Sequence, residues 1–213
     1  MSATISTTIP DTMPAFSPEE PPAKTLSAME EPDLAVLTRC AEGDRSAFRE
    51  LYDRYKSFMY SLAFRFHGNR FDAEDSLQEA FIALFRNIKA FRGQSRFTTW
   101  LYRIMINTCI SRTRGRRNSE ERTDFRVEQA QPAHVPSLSD VVLGEFLERE
   151  IVRLPEMYRA VFLLYAAEGL THGEIADTLN IRTGSSKSYY HRAREILKKK
   201  CIAAGIVGEG ADT

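Results

Sequence analysis

Apolar residues recur at helical spacing in one segment after another, a pattern that predicts an all-α protein. The longest segment runs from Ala47 to Phe66, and its apolar, aromatic-rich side is interpreted as core. Asp44 is placed to cap its N-terminus, and a shorter helix at Asp33–Ala41 precedes it. His67-Gly68-Asn69 is expected to end the long helix, with either Gly68 or Asn69 supplying the left-handed backbone of a C-terminal cap.

The chain is organised around the stretch from Asp72 to Trp100, which reads DAEDSLQEAFIALFRNIKAFRGQSRFTTW. Its first half has the spacing of a helix with apolar residues on one side and mostly charged residues on the other. Ile82 interrupts the charged side. It is either an isolated surface residue or part of a footprint for a partner protein, and the spacing alone leaves both interpretations open.

The second half of this stretch is a loop in which aromatic rings alternate with arginines. Rings stack on unpaired bases and guanidinium groups neutralise phosphates, so this composition favours contact with opened DNA. The alternative is that the rings belong to the core and the arginines only solvate the loop, and Trp100 is interpreted as such a core anchor. The residues concerned are Phe91, Arg92, Arg96, Phe97 and Trp100.

A second helical part follows a polar segment that contains prolines and has no helical period. The helix that begins near Thr98 is expected to reach about Arg112, with further arginines as far as Arg117. We therefore expect two small helical domains joined by a flexible linker. The expected order is a disordered N-terminal extension at 1–32, a helical bundle at 33–117, the linker at 118–139, a second helical domain at 140–200 and a flexible tail at 201–213.

Within the second domain, residues 171–194 have the pattern of a helix-turn-helix. Thr171 and Glu174 form a capping box, and Asn180 suits the turn because asparagine tolerates a left-handed backbone. The following helix, from about Gly184 to Lys199, is strongly basic. Its inward side is predicted to hold Ser186, Tyr190, Ala193 and Leu197, and its outward side Lys187, Ser188, His191, Arg192 and Lys198.

The distribution of charges and cysteines indicates which binding partners and which cell compartment to expect. Basic and acidic residues both total 29, yet residues 1–33 carry six acids against one lysine, and residues 182–200 carry seven basic residues against one glutamate. This segregation predicts a basic binding face near the C-terminal end. The three cysteines are far apart and are expected to be buried free thiols. No secretory leader or membrane span is recognised, which predicts a cytoplasmic protein.

Motifs of known enzyme and metal sites are not found in the sequence. It contains no phosphate-binding GxxxxGK, no GxSxG and no HExxH. His191 lacks a second metal ligand at helical spacing. No catalytic activity, metal site or cofactor is therefore expected.

Two separate segments resemble the extracytoplasmic-function group of bacterial sigma-70 factors. DAEDSLQEAFIALFRN with FRGQSRFTTWLYRIMIN resembles their region 2, and LPEMYRAVFLLYAAEGLTHGEIADTLNIRTGSSKSYYHRAREIL resembles their region 4. The resemblance implies a transcription initiation factor that directs core RNA polymerase to promoters, in a stress or envelope response. It also implies the polymerase β′ clamp and β flap, promoter DNA and an anti-sigma factor as partners.

The resemblance assigns roles to three sets of residues. It implies polymerase core binding for Asp75, Gln78, Glu79, Ile82 and Arg86. It implies contact with the opened −10 element for Asn87, Phe91, Arg92, Ser95, Arg96 and Thr98. It implies reading of the −35 duplex for Arg182, Ser185, Lys187, Ser188, Tyr189, His191 and Arg192.

Two positions depart from the family pattern. Ser186 stands where an apolar anchor is common, so weaker packing is expected unless Tyr190 compensates. Tyr189 stands where arginine is common, so the family's promoter preference does not carry over.

Other functions and arrangements remain open. A stand-alone helix-turn-helix repressor or activator would bind a duplex operator as a dimer, without polymerase. A purely regulatory protein would sequester another factor. If the chain is an initiation factor, the free protein is expected to pack its two domains together and to cover its DNA-binding faces.

Overall fold

The structure, a computed structural model, describes residues 30–120 and 138–205, and all the regular elements within these ranges are helical. This confirms the predicted all-α fold. None of these helices is both long and apolar enough to cross a lipid bilayer. The predicted extension, linker and tail lie largely outside the described residues. The helices are α1 (Leu34–Glu42), α2 (Arg45–His67), α3 (Arg70–Asn87), α4 (Phe97–Glu120), α5 (Leu138–Val152), α6 (Glu156–Phe162), α7 (His172–Leu179) and α8 (Thr183–Ala203).

Local sequence signals fix several helix ends as predicted. The Asp44 carboxylate accepts hydrogen bonds from two backbone N–H groups in the first turn of α2, and Gly68 ends α2 with a left-handed φ of 71°. Thr171 and Glu174 make both hydrogen bonds of the capping box at the start of α7. Asn180 adopts the left-handed backbone, with φ 51°, between α7 and α8. These groups satisfy backbone donors and acceptors that a helix end leaves unpaired.

Two helices extend beyond their predicted ends. Helix α3 starts at Arg70 rather than Asp72, because the Asn69 side chain accepts a hydrogen bond of 2.9 Å from the Asp72 N–H. Helix α4 continues past Arg112 to Glu120. Arg114 and Arg116 in this extension form ion pairs with Glu156 and Asp72, which are 42 and 44 positions away in sequence. Local spacing along the chain does not reveal such pairs.

The first domain is built around α2, which packs against α1, α3 and α4. The Tyr52 ring lies 4.7 Å from the ring of Phe81 on α3. The Phe58 ring lies 5.4 Å from that of Tyr102 on α4, in an edge-to-face arrangement. Such aromatic pairs add to the stabilisation from burial alone. The aromatic side of α2 is therefore core, as predicted.

The two domains pack against each other, and one cluster of buried apolar residues extends across both. Helix α5 contacts α2, while α6 and α7 contact α4. Arg159 on α6 is buried at this interface and donates hydrogen bonds to the carbonyl oxygens of Phe66, at 2.7 Å, and Leu154, at 2.8 Å. Its guanidinium also lies 4.9 Å from the centre of the Phe66 ring. The buried charge thus finds partners on both sides of the interface.

A buried carboxylate makes the complementary contact. Glu168 follows a π-helical turn at Leu163–Ala167 that continues α6. It is fully buried and accepts a hydrogen bond of 2.8 Å from the Tyr102 hydroxyl on α4. Its other oxygen lies 2.7 Å from a guanidinium nitrogen of Arg65 on α2. Close by, a Cβ added at Gly68 would lie 2.7 Å from Val152, so only glycine allows this approach of α5. The expected packing of the two domains is confirmed.

Replacing Glu168 with alanine is expected to lower the free energy of unfolding by about 1–3 kcal/mol, because the Tyr102 hydroxyl loses its acceptor in a buried position. Urea unfolding at neutral pH measures the change. The exposed Glu148 on α5 provides a matched control, since its replacement by alanine removes the same charge and is expected to cost less than about 0.5 kcal/mol. Equal losses in the two variants would contradict a stabilising role for the Glu168 contacts.

Candidate functional site

One exposed stripe runs along α3. Residues three, four or seven positions apart share a helix face, and on this face Asp75, Gln78, Glu79 and Arg86 are exposed while Ile82 is half-buried. The face continues N-terminally to Phe71, whose side chain is 81% exposed. We call Phe71, Asp75, Gln78, Glu79, Ile82 and Arg86 the α3 stripe.

Phe71 was missed by the sequence analysis, which started α3 at Asp72. The signal was present in Asn69, a good N-cap residue that places Phe71 in the first turn, four positions before Asp75. With Phe71 included, Ile82 is no longer the single apolar residue among charges. Two apolar side chains lie on one line with the carboxylates.

Arg112 of α4 connects the acidic residues along the edge of the α3 stripe. Its guanidinium lies 2.9 Å from Glu79 and 3.3 Å from Asp72, and it also pairs with Asp75. Arg116 pairs with Asp72 as well. Burial alone would raise the pKa of Asp72, but the hydrogen bond from Asn69 and the charge of Arg116 bring it below its ordinary value. Asp72, Asp75 and Glu79 are thus held in place by the two arginines of α4.

The loop between α3 and α4 begins with a 3-10 turn at Ile88–Ala90. Arg92, Ser95 and Arg96 are exposed in it. Phe91 is half-buried, with its ring 5.2 Å from Trp100 and 5.5 Å from Phe97. The three rings form one cluster at the base of the loop, which agrees with the interpretation of Trp100 as an anchor.

Two other residues assigned to the −10 element lie at the edges of this loop. Thr98 is only 2% exposed, and its hydroxyl donates a hydrogen bond of 2.6 Å to Glu31. Asn87 is exposed, and its amide donates to the Ala83 carbonyl oxygen at 2.8 Å. The loop therefore presents Arg92, Ser95 and Arg96 to solvent, while Phe91 and Thr98 face its interior.

Helix α8 separates its inner and outer faces as predicted. Ser186, Ala193 and Leu197 are buried, whereas Lys187, Ser188, His191 and Arg192 are exposed. Arg182 is also exposed, and Ser185 is half-buried. With the two domains packed together, exposed residues remain on α8 (Lys187, Ser188, His191 and Arg192) and in the loop (Arg92, Ser95 and Arg96). The packing therefore does not bury these residues, contrary to the expectation that it covers the surfaces predicted to contact DNA.

Tyr189 and Arg192 lean towards α6 rather than pointing freely outward. The Tyr189 ring is half-buried and lies 5.4 Å from the ring of Tyr158. The Arg192 guanidinium donates a hydrogen bond of 3.3 Å to the Tyr158 hydroxyl. Tyr158 thus orients two of the residues assigned to the −35 element.

A polar and aromatic cluster replaces the apolar anchor that Ser186 lacks. The Ser186 hydroxyl lies 2.9 Å from Nδ1 of His172 on α7. The His172 ring stacks on Tyr165 at 4.4 Å, and Tyr165 in turn lies 4.3 Å from Tyr190. Ser186 thus has His172 as its partner, and Tyr190 belongs to the same cluster through its ring contact with Tyr165.

Comparison with known proteins identifies both halves of the chain. The Sigma-70 region 2 family matches residues 51–119, and the Sigma-70 region 4 family matches residues 147–197. The extracytoplasmic-function (ECF) RNA polymerase sigma factor SigW of Bacillus subtilis is 36% identical over 176 residues, which cover 77% of this chain and 94% of SigW. The ECF RNA polymerase sigma-E factor of Haemophilus influenzae is 36% identical over 181 residues, covering 79% and 94% respectively.

The chain belongs to the ECF family of sigma-70 factors. The sigma factor RpoE, solved in complex with the anti-sigma factor NepR from Bartonella quintana, has the same fold, with a TM-score of 0.60 and 22% identity over 71% of this chain and 94% of that chain. The region 2 match accounts for the stretch from Asp72 to Trp100, and a stand-alone helix-turn-helix regulator is therefore not favoured.

At the end of α2, the sigma factor has a half-buried histidine that contacts α3. Nε2 of His67 lies 2.8 Å from the Ser76 hydroxyl. Burial lowers the pKa of His67 to about 4; the nearby Asp72 carboxylate opposes this shift, and the neighbouring arginines reinforce it. His67 is therefore neutral in the folded protein at neutral pH.

The pH dependence of stability is expected to include a contribution from His67. Its pKa is about 4 in the folded state and about 6.5 in the unfolded state. The stability that the neutral form provides is therefore complete above about pH 6.5 and is lost as the pH falls towards 4. In His67→Gln the amide can still bond to Ser76 but does not titrate. Urea unfolding between about pH 7 and pH 5 should show that the free energy of unfolding falls less steeply with pH in this variant than in the parent. Parallel curves for variant and parent would contradict the assignment.

Proposed function

We propose that this sigma factor binds core RNA polymerase through the α3 stripe, holds the opened −10 strand in the α3–α4 loop and reads the −35 duplex with α8. The observation that carries the proposal is the α3 stripe, where exposed carboxylates and an exposed aromatic ring share one helix face. The chain acts in the cytoplasm, where the polymerase is, and catalyses no reaction of its own. Its polymerase contacts are the β′ clamp and, through residues that are not assigned, the β flap.

The chemistry of the α3 stripe suits a basic protein partner. Asp75 and Glu79 offer carboxylates to arginine or lysine side chains, and Gln78 offers an amide between them. Phe71 and Ile82 supply apolar area next to these charges. Aromatic residues of this kind often contribute a large share of the free energy of binding, because they exclude water from the neighbouring polar contacts.

The loop and α8 offer different chemistry for two forms of DNA. In the loop, Arg92 and Arg96 can neutralise phosphates of a single strand, and Ser95 can hydrogen-bond a base edge. On α8, Lys187, Ser188 and His191 lie in the first half of the helix, the part that enters the major groove in helix-turn-helix proteins. The loop therefore suits opened DNA and α8 suits duplex DNA.

A protein regulator is part of the proposal. RpoE from Bartonella quintana was solved with the anti-sigma factor NepR, and CnrH, with a TM-score of 0.58 to this chain, was solved with the cytosolic domain of CnrY. We propose that an anti-sigma factor also binds this chain.

Transcription by reconstituted holoenzyme tests the proposed function. Purified chain and core polymerase are mixed with genomic DNA from the source bacterium, and the RNA products are sequenced. Transcripts that start at defined sites only when the chain is present are expected, and they also identify its promoters. A stand-alone repressor or activator would bind duplex DNA but would not confer such initiation on the core enzyme, and that result would contradict the proposal.

Changes in the α3 stripe are expected to weaken polymerase binding. The double variant Asp75→Ala, Gln78→Ala removes a charge and an amide, and Phe71→Ser removes the exposed ring; each should raise the dissociation constant for core polymerase by about tenfold or more. Leu34→Ser is a matched control for Phe71→Ser, because Leu34 is similarly exposed (78%) but lies on α1. Fluorescence anisotropy with labelled protein measures the affinities. Unchanged affinity in the double variant, or equal effects of the two serine variants, would count against the assigned surface.

A further inference from the structure

The first described residues of the chain lie across the end of the α3–α4 loop. Glu31 and Phe97 are 66 positions apart in sequence, yet the Glu31 carboxylate accepts a hydrogen bond of 2.7 Å from the Phe97 backbone N–H. Its other oxygen accepts bonds from the Thr98 hydroxyl, at 2.6 Å, and the Thr98 N–H, at 3.4 Å. The same oxygen lies 3.1 Å from Nε of Arg96. One carboxylate thus contacts three successive residues.

These contacts satisfy groups that would otherwise be costly to bury. The first N–H groups of a helix have no partner within the helix, and negative charge is favourable at this end. Phe97 and Thr98 are both buried, so water does not readily replace Glu31 at their backbone donors. Glu31 therefore acts as a long-range N-terminal cap for α4.

The segment around Glu31 is attached to the core rather than resting loosely on the surface. The Tyr55 hydroxyl donates a hydrogen bond of 3.0 Å to the carbonyl oxygen of Glu30. Tyr55 is buried on α2, and its ring lies 5.6 Å from that of Phe97. Pro32, on the other side of Glu31, is buried as well. Glu31 thus connects the rigid α2 to the end of the loop.

The contact with Arg96 also orients a side chain of the loop. Glu31 engages Nε of Arg96, and the Arg96 side chain is 52% exposed. Because a guanidinium has donors on several edges, the terminal nitrogens can still meet a phosphate or a base. Holding Nε reduces the freedom that Arg96 would lose on binding DNA.

We propose that Glu31 is a positioning residue for capture of the opened −10 strand, acting through Arg96 and the start of α4 without touching DNA. This inference rests on the proposed function of the loop. In an alternative role, the Glu31 carboxylate would compete with DNA phosphates for Arg96. The two roles predict opposite changes in the rate of strand capture. Removal of a positioning group slows strand capture, whereas removal of a competitor accelerates it.

The test uses holoenzyme on a promoter found in the transcription experiment, with 2-aminopurine in the −10 region to report strand opening. Glu31→Ala is expected to slow opening by about tenfold, as for loss of a charged hydrogen-bond network. Glu31→Gln keeps an oxygen acceptor for the backbone and loses the charge, so a smaller defect is expected. Glu30→Ala is the matched control, because it removes the same charge from a neighbouring exposed side chain and leaves the Glu30 carbonyl contact intact.

Two further measurements make the outcomes decisive. Affinity for core polymerase and urea stability of each variant are measured alongside; the proposal expects the affinity to stay within about twofold of the parent. Opening that is unchanged or faster in both Glu31 variants would overturn the proposal, as would an equal loss of polymerase affinity and opening. If the parent holoenzyme opens no promoter, the proposed function itself fails. If the parent and both Glu31 variants open the promoter at the same rate, only the role of Glu31 fails.

Discussion

The arrangement of this protein depends on two charged side chains buried where its domains meet. Apolar surfaces alone would allow the domains to slide, because burial of area has no direction. A buried guanidinium or carboxylate is stable only in an orientation that supplies its partners. Arg159 finds the Phe66 carbonyl and ring, and Glu168 finds Tyr102 and Arg65. These contacts select one packing, in which the loop and the outer face of α8 remain in solvent.

Exposure of both surfaces proposed to bind DNA does not make this packing competent for a whole promoter. Elements centred near −10 and −35 are about 25 base pairs apart, or roughly 85 Å of duplex. A compact body of this size is only about 40 Å across. Residues 121–137, between α4 and α5, span at most about 60 Å when extended, which is enough to separate the two domains. If the loop and α8 engage both elements at once, the contacts of Arg159 and Glu168 across the interface must break, and polymerase binding must supply the free energy for that change.

The sequence predicts the parts of this structure that depend on local spacing. It does not predict contacts between residues that are far apart in the chain. The caps at Asp44, Thr171 and Asn180 and the inner face of α8 follow from residues within one or two turns. By contrast, the contacts of Glu31 and Arg159 join positions that only the tertiary fold brings together. Phe71 is an intermediate case. The Asn69 cap that places it in α3 is a local signal, but the apolar spacing alone predicts a helix that begins at Asp72 and leaves Phe71 out. Composition and spacing left the role of the α3 stripe open, and the role proposed for it comes from the family resemblance.

If the α3 stripe binds polymerase as proposed, Arg112 keeps its acidic residues ordered before that partner binds. Carboxylates close together on one helix face repel each other, and Arg112 offsets this repulsion for Asp75 and Glu79 while holding their side chains in a narrow range of orientations. Both carboxylates remain more than half exposed, and ion pairs at such positions contribute little net stability, so they rearrange at low cost. An arginine from a partner can therefore take the place of Arg112 at one carboxylate while the other stays neutralised. The charges then favour correct orientation and fast encounter, and the larger part of the affinity must come from apolar contact at Phe71 and Ile82.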